Sequence, residues 1–285
     1  MKLKNSMHIF VLVFFMWPGG LYAEENPSLE FRVIFPVTCV SPGLANALVK
    51  IYEEEYKVPT KMYSLCTGDA IKFVKEHAGI EEVDVMLGHD REAEEKFVRD
   101  GYAVNLRSVF FSDYVLVGPP EDPAKIMGMT DPAKALKKIA KMKLNFCSRA
   151  DLSGTHSLEM RIWKMAGIKP KGDWYIKTKV GTSETLLIAN RKRAYFISHG
   201  ATFLQMGETI DLVPIVEDKK NLITTYEVLA MNPERFPNMK YVQAMHFIGF
   251  LTSPSTQKYI AEFGQEEFGK PIFFPMAVKT KQSQK

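Results

Sequence analysis

Residues 29–65 read LEFRVIFPVTCVSPGLANALVKIYEEEYKVPTKMYSL, and this stretch decides the fold class. It contains a strand pattern at 29–35, a helix pattern at 43–56 with apolar residues at helical spacing, and a second strand pattern at 61–65. Strand and helix patterns continue to alternate along the rest of the chain. The sequence therefore predicts an α/β fold.

The remaining elements are predicted from apolar periodicity and from residues that begin or end helices. Asp131 and Pro132, for example, are typical of the N-cap and first position of a helix. The stretch PPEDP at 119–123 interrupts the alternation and predicts a boundary. We predict further strands at 83–89, 112–118, 144–148, 194–198, 211–217 and 224–232, and further helices at 68–79, 91–101, 131–142, 155–167, 183–193, 238–253 and 255–264.

The first 23 residues have the pattern of a signal peptide. Lys2 and Lys4 precede the apolar run MHIFVLVFFMW, and PGGLYA follows it, so we place cleavage after Ala23. The alternative is an N-terminal anchor, but the apolar run is too short for a membrane-spanning helix. We therefore expect export, which implies an oxidising compartment.

Charge and composition limit the partners of the chain. Its 285 residues are 46% hydrophobic, as is ordinary for one or two globular domains, and carry a formal net charge of +4. Removing the signal peptide takes away two lysines and no acid, which leaves +2. So small an excess argues against nucleic acid as the main partner.

Small and polar loops recur just after predicted strands and just before predicted helices. In an open α/β sheet, ligands bind at the carboxyl ends of the strands, where helix N-termini present free N–H groups to an anion. The alternative for any single loop is that Ser and Thr only cap a helix. Several such loops in one sheet favour an anion site; they lie at 37–43, 66–69, 88–90, 147–156 and 181–185.

Arg149 is the strongest single candidate for binding an anion. Its guanidinium offers a planar set of donors that suits an oxyanion. The alternative role is a surface ion pair with Asp151, two residues further along the chain.

Catalysis and metal binding have weaker support. Ser153 could act as a nucleophile only beside a positioned base, and no G-x-S-x-G motif is present. His89, His156 and His199 lie near the predicted loops, but no H-E-x-x-H or C-x-x-C spacing indicates zinc. We therefore predict neither an enzyme nor a bound metal or cofactor.

The three cysteines leave several alternatives open. Cys39, Cys66 and Cys147 each follow a predicted strand, beside the predicted ligand loops. Cys39 and Cys66 follow neighbouring strands and could form a disulfide, and an odd count leaves at least one thiol unpaired or intermolecular. A soft-metal site is the alternative, although the cysteines lack a diagnostic spacing, which favours structural roles.

With these residues in view, the chain resembles the periplasmic tungstate-binding proteins of ABC transporters. The resemblance spans nearly the whole mature chain, and its specific part is the signature SRADLSGTH followed by GDWY within 148–175. Further matching stretches are EEKFVRDGYAVNLRSVFFSDYVLVGPPEDPAKI at 94–126, TLLIANRKRAY at 185–195 and LAMNP at 229–233.

The resemblance implies a set of ligand contacts. Arg149 and Thr155 would touch the oxyanion directly, Ser153 and Gly154 would complete their loop, and the CTG stretch would bring Thr67 from the other lobe.

Three loops depart from the family pattern. The first loop, VTCVSPGL, keeps hydroxyls only at Thr38 and Ser41. The stretch SHGA at 198–201 stands where the family has Asp-Arg-Gly-Thr, which removes an arginine. GTSE replaces a Gly-Met-Gly segment and adds Ser183 and Glu184 as candidates. An acid there would favour a protonated ligand, whose proton it could accept.

The implied fold is the two-lobed periplasmic-binding-protein fold of type II, with two segments crossing between the lobes. We expect lobe one to comprise 28–113 plus 224–285, and lobe two to comprise 114–223. The implied function is a receptor, expected to be monomeric, that passes a tungstate-like oxyanion to an ABC permease and its ATPase. The alternatives are the same fold adapted to a soft metal or to a protonated anion, and, less favoured, an enzyme.

Overall fold

The structure is a computed structural model that describes residues 30–278 except 81 and 152. The predicted signal peptide lies outside these residues. The strands are β1 Phe31–Phe35, β2 Thr60–Ser64, β3 Val85–Gly88, β4 Ala103–Gly118, β5 Phe146–Ser148, β6 Tyr175–Lys177, β7 Phe196–His199, β8 Val213–Glu217, β9 Ile223–Met231 and β10 Phe274–Pro275. The helices are α1 Val37–Val40, α2 Leu44–Tyr56, α3 Thr67–Glu76, α4 Arg91–Arg99, α5 Pro132–Met142, α6 Gly154–Met165, α7 Thr182–Lys192, α8 Gly200–Met206, α9 Tyr241–Thr252, α10 Pro254–Glu262 and α11 Gln265–Phe268.

The large sheet is mixed, in the order β2-β1-β3-β9-β4-β10. Strands β2 and β3 run parallel to β1, whereas β9 and β10 are antiparallel to their neighbours. Strands β7 and β8 pair with the end of β4, and β5 pairs with β6 in a separate parallel sheet. This confirms the predicted α/β class.

Strand β4 continues from one half of the molecule into the other, as expected for a crossing segment of a two-lobed fold. Asp113 pairs with Ile223 of β9, and the next residue, Tyr114, pairs with His199 of β7. Apolar cores lie on both sides of this point, one around Phe35 and others in the region of residues 114–222. From these contacts we propose that the boundaries between the lobes lie after residues 113 and 223.

Most predicted elements are present, and α5 begins as predicted, with Asp131 accepting a hydrogen bond from the Lys134 N–H. The 37–43 loop instead contains the short helix α1, and β4 begins nine residues earlier than predicted. Its first half carries polar residues and Asn105 at a φ of 57°, so it lacks a regular strand pattern. Further short elements, β6, α8, α11 and β10, were not predicted.

A buried pair of carboxyl groups lies beside the crossing strands. Glu94 of α4 and Glu227 of β9 are both fully buried, and each has an Oε2 atom without a hydrogen-bond partner among the described residues. Burial and the neighbouring Glu227 raise the pKa of the Glu94 carboxyl. One proton between the two groups would satisfy both acceptors.

We predict that Glu94→Gln makes the protein more stable at pH 8. The Glu94 pKa is higher in the folded than in the unfolded chain. Above about pH 4.5 the folded state therefore binds more protons than the unfolded state, and the free energy of unfolding falls as pH rises. The glutamine variant should gain at least about 1.4 kcal/mol at pH 8, the value of one pKa unit, with less gain at pH 5. Urea unfolding at both pH values measures this. Glu92→Gln, an exposed position on α4, is the control, and equal pH dependence of all three proteins would contradict the prediction.

Candidate functional site

A cavity of about 180 Å³ lies between the two halves of the molecule. Pockets for drug-sized molecules are larger, about 300–1,000 Å³, so this one suits a small ion. Strand-end loops and helix N-termini from both halves form its walls. Its lining residues are Val37, Thr38, Ser41, Cys66, His89, Arg149, Ser153, Gly154, Thr155, Gly181, Thr182, Ser183 and Thr202.

Arg149 provides the positive charge at this cavity. It follows β5, and its side chain is only 15% exposed. One terminal nitrogen donates to Thr182 Oγ1 at 3.0 Å, and the other donates to Asp151 Oδ2 at 2.6 Å. Its buried Nε has no hydrogen-bond partner in the described part of the chain. The guanidinium thus forms the ion pair with Asp151 and also lines the cavity; its contact with an anion stays a prediction.

The N-terminus of α6 forms the same wall. Ser153 caps the helix, and its Oγ accepts a hydrogen bond from the His156 N–H at 3.4 Å. The Thr155 hydroxyl is buried near the Tyr114 hydroxyl, and neither forms a hydrogen bond of ordinary geometry within residues 30–278 as described. Unpaired buried polar groups are costly, and a helix N-terminus attracts negative charge. Together these groups favour an anion as the ligand.

Asp151 holds this wall in place. Although burial opposes it, hydrogen bonds from Ser153 and the charge of Arg149 lower the pKa of the Asp151 carboxyl. The carboxylate therefore stays ionised at neutral pH and anchors both Arg149 and the Ser153 N–H.

The opposite wall is built on α1, the start of α3 and the end of β3. The Tyr226 hydroxyl donates to Thr38 Oγ1 at 3.0 Å, so the Thr38 hydroxyl hydrogen is free to donate elsewhere. The His89 ring stacks on Tyr226, with ring centroids 5.7 Å apart. Near the point where β4 passes between the two halves, Ser112 Oγ lies 2.8 Å from Nε2 of the buried His199.

Several predicted site residues lie elsewhere. Thr67 does not line the cavity, because its hydroxyl bonds with His89. Cys39 and Cys147 are fully buried in separate apolar cores, and burial raises the pKa of the Cys147 thiol to about 12. Glu184 is exposed at the rim, where its carboxylate lies close to Gly181.

The cysteines are therefore not assembled into a site. All three are free thiols, and Cys66 alone among them lines the cavity. The described residues contain no group of three histidine, cysteine or acidic side chains that could hold a metal ion. Packing places Cys39 and Cys147 in separate apolar cores, so the structure gives no support to a soft-metal site formed by all three cysteines.

Five lining residues were not among the predicted contacts. The strand-end pattern did include the loops that carry His89, Gly181 and Thr182. Val37 belongs to the loop at 37–43, but no polar group marked it, and Thr202 lies in the unpredicted helix α8.

Fold and site together define a two-lobed periplasmic-binding protein with an interlobe cavity suited to a small anion. Residues 40–266 match the family described as bacterial extracellular solute-binding protein. The chain belongs to this family. Within the part of the chain that the structure describes, every helix is too short or too polar to cross a membrane.

Proteins named for tungstate are similar to the chain along most of its length, which confirms the predicted resemblance. The tungstate-binding protein TupA of Peptoclostridium acidaminophilum is 36% identical over 290 residues, covering 98% of this chain and all of that protein. The structure of TupA from Desulfovibrio alaskensis G20 has a TM-score of 0.80 at 30% identity, covering 87% and 99% of the two chains. That of the tungstate ABC transporter from Geobacter sulfurreducens has a TM-score of 0.73 at 34% identity, covering 82% and 98%.

Proposed function

We propose that this protein is a periplasmic receptor that binds a small tetrahedral oxyanion, tungstate or a close analogue, and delivers it to an ABC permease. The observation that carries the proposal is the interlobe cavity, where Arg149 lies beside the N-terminus of α6 and the buried Thr155 hydroxyl has no hydrogen bond of ordinary geometry to the described residues. The names of the similar proteins support the choice of ligand.

The proposed binding contacts come from both lobes. Arg149, Ser153, Gly154 and Thr155 would hold the anion from lobe two. Thr38 and Ser41 would face it from lobe one, with Cys66 and Ser183 at the periphery. Oriented N–H and O–H groups stabilise an anion strongly where water is excluded, so hinge closure around the ligand would strengthen each contact. No chemical step is required of the protein.

Calorimetry on the mature protein tests the function. Tungstate, molybdate, sulfate and phosphate are titrated separately under the same buffer conditions. We expect tight binding of at least one of them with a stoichiometry of one. Absence of binding to all four would overturn the proposal.

The ligand is expected to be a fully deprotonated anion rather than a protonated one. None of the lining residues carries a carboxylate, and the Glu184 carboxylate lies at the rim. A hydrogen phosphate would have to place its O–H against hydroxyl groups or backbone carbonyls. Stronger binding of phosphate than of tungstate or molybdate would favour the protonated-anion alternative instead.

The partner and location follow from the same proposal. A receptor of this kind would be exported through the predicted signal peptide at 1–23 and would act as a monomer on a membrane permease with its ATPase. Co-purification of the mature chain with a permease in a ligand-dependent manner would test the partnership.

A further inference from the structure

We propose that His89 is a direct ligand-binding residue, a neutral imidazole whose Nε2–H donates to the bound oxyanion across the cleft. This rests on the proposed function and adds a contact from lobe one. The cavity contains few other nitrogen donors on that side, since its lobe-one wall is otherwise formed by Val37, Thr38, Ser41 and Cys66.

The hydrogen bonds of Thr67 decide which ring nitrogen carries the proton. Thr67 Oγ1 accepts a hydrogen bond from the His89 backbone N–H at 3.1 Å and lies 2.9 Å from His89 Nδ1. Because Thr67 is buried, with only 4% of the residue exposed, its hydroxyl hydrogen needs a protein acceptor, and Nδ1 is the acceptor within reach. Nδ1 is therefore unprotonated, and the proton of the neutral ring is on Nε2.

The surroundings keep the ring neutral and fix its orientation. Burial lowers the pKa of His89 to about 4, with Arg149 adding to the effect and Asp90 opposing it. The ring is also held by its stacking on Tyr226. A neutral ring offers one donor at Nε2 without repelling Arg149.

Nε2 is directed at the part of the cavity where the anion is expected. A Cβ atom at Gly154 would lie 2.5 Å from His89 Nε2, so this nitrogen faces the first turn of α6. No group in the described ranges 30–80, 82–151 and 153–278 accepts a hydrogen bond from Nε2. An anion at the N-terminus of α6 would supply that acceptor.

Two series of variants test the assignment by calorimetry with tungstate and molybdate. His89→Gln can place an amide N–H where Nε2 lies, whereas His89→Asn and His89→Leu cannot. We expect about tenfold weaker binding for the asparagine and leucine variants, as for loss of a hydrogen bond to a charged acceptor, and near-normal binding for glutamine. Thr67→Val removes the hydroxyl that fixes the ring proton on Nε2, so it should weaken binding. Thr67→Ser keeps this hydroxyl and should bind almost as tightly as the wild type.

Nitrogen NMR of histidine-labelled wild-type protein reads the tautomer independently of binding. We expect a protonated Nε2 and an unprotonated Nδ1 at pH 7. The opposite tautomer, or unchanged affinity in His89→Leu, would overturn the role of His89 alone. A wild-type protein that binds none of the oxyanions would overturn the proposed function on which this role rests. Thermal unfolding of each variant shows that it is folded.

Discussion

Arg149→Ala is expected to weaken oxyanion binding by about 3 kcal/mol, roughly a hundredfold, without unfolding the protein. Hydrogen bonds to charged groups contribute about 1.5–3 kcal/mol, and the upper end applies here for a structural reason. Removing the guanidinium leaves the Asp151 carboxylate, now 2.6 Å from an Arg149 nitrogen, uncompensated beside an incoming anion. Calorimetry with tungstate measures the loss.

A double variant separates charge repulsion from the lost hydrogen bonds. Arg149→Ala with Asp151→Asn should recover part of the affinity, because it removes the unpaired negative charge. Arg191→Ala is the matched control, since Arg191 is exposed at the far end of α7 and does not line the cavity. Unchanged affinity in Arg149→Ala would refute the assigned role of the guanidinium.

Gly154→Ala is expected to prevent the lobes from closing and to weaken binding roughly a hundredfold. The added Cβ would lie 2.5 Å from Nε2 and 2.8 Å from Cδ2 of His89, closer than atoms can pack. The ring cannot move aside easily, because it is held by Thr67 and stacked on Tyr226. Overpacking costs about 1–3 kcal/mol. Here that cost would destabilise the closed state relative to the open state.

Small-angle X-ray scattering distinguishes this effect from simple loss of a contact. The wild-type protein should contract when tungstate is added, whereas Gly154→Ala should keep its larger radius of gyration. Gly249→Ala is the control, because Gly249 lies in a helix with open space around its Cβ position. Normal ligand-induced contraction of Gly154→Ala would show that the clash is relieved locally, contrary to the prediction.

The sequence predicted the fold well where elements have a strong local pattern. Helix α5, for instance, has its Asp131 cap and an apolar face within eleven residues. It predicted poorly where pairing alone makes the element, as in β6, whose three residues are held as a strand by β5. The first half of β4 belongs to the same group, since its polar residues form a strand through the long pairing with β9.

The sequence by itself determined the loop that contains Arg149 and the helix that follows it. These groups are neighbours along the chain, so capping preferences and helical periodicity are enough to place the guanidinium beside free amides. The same local patterns predicted that Thr38 and Ser41 place hydroxyl groups just after the first strand.

Only the tertiary structure decided which loops meet and which candidate residues turn away. His89 and Gly154 are 65 positions apart and come together because β4 and β9 connect two lobes that face each other. The Thr67 hydroxyl is hydrogen-bonded to His89, and Cys39 and Cys147 are buried in apolar cores. Such contacts depend on packing between distant elements, which local sequence patterns do not encode, and they give the cavity its size and its donors.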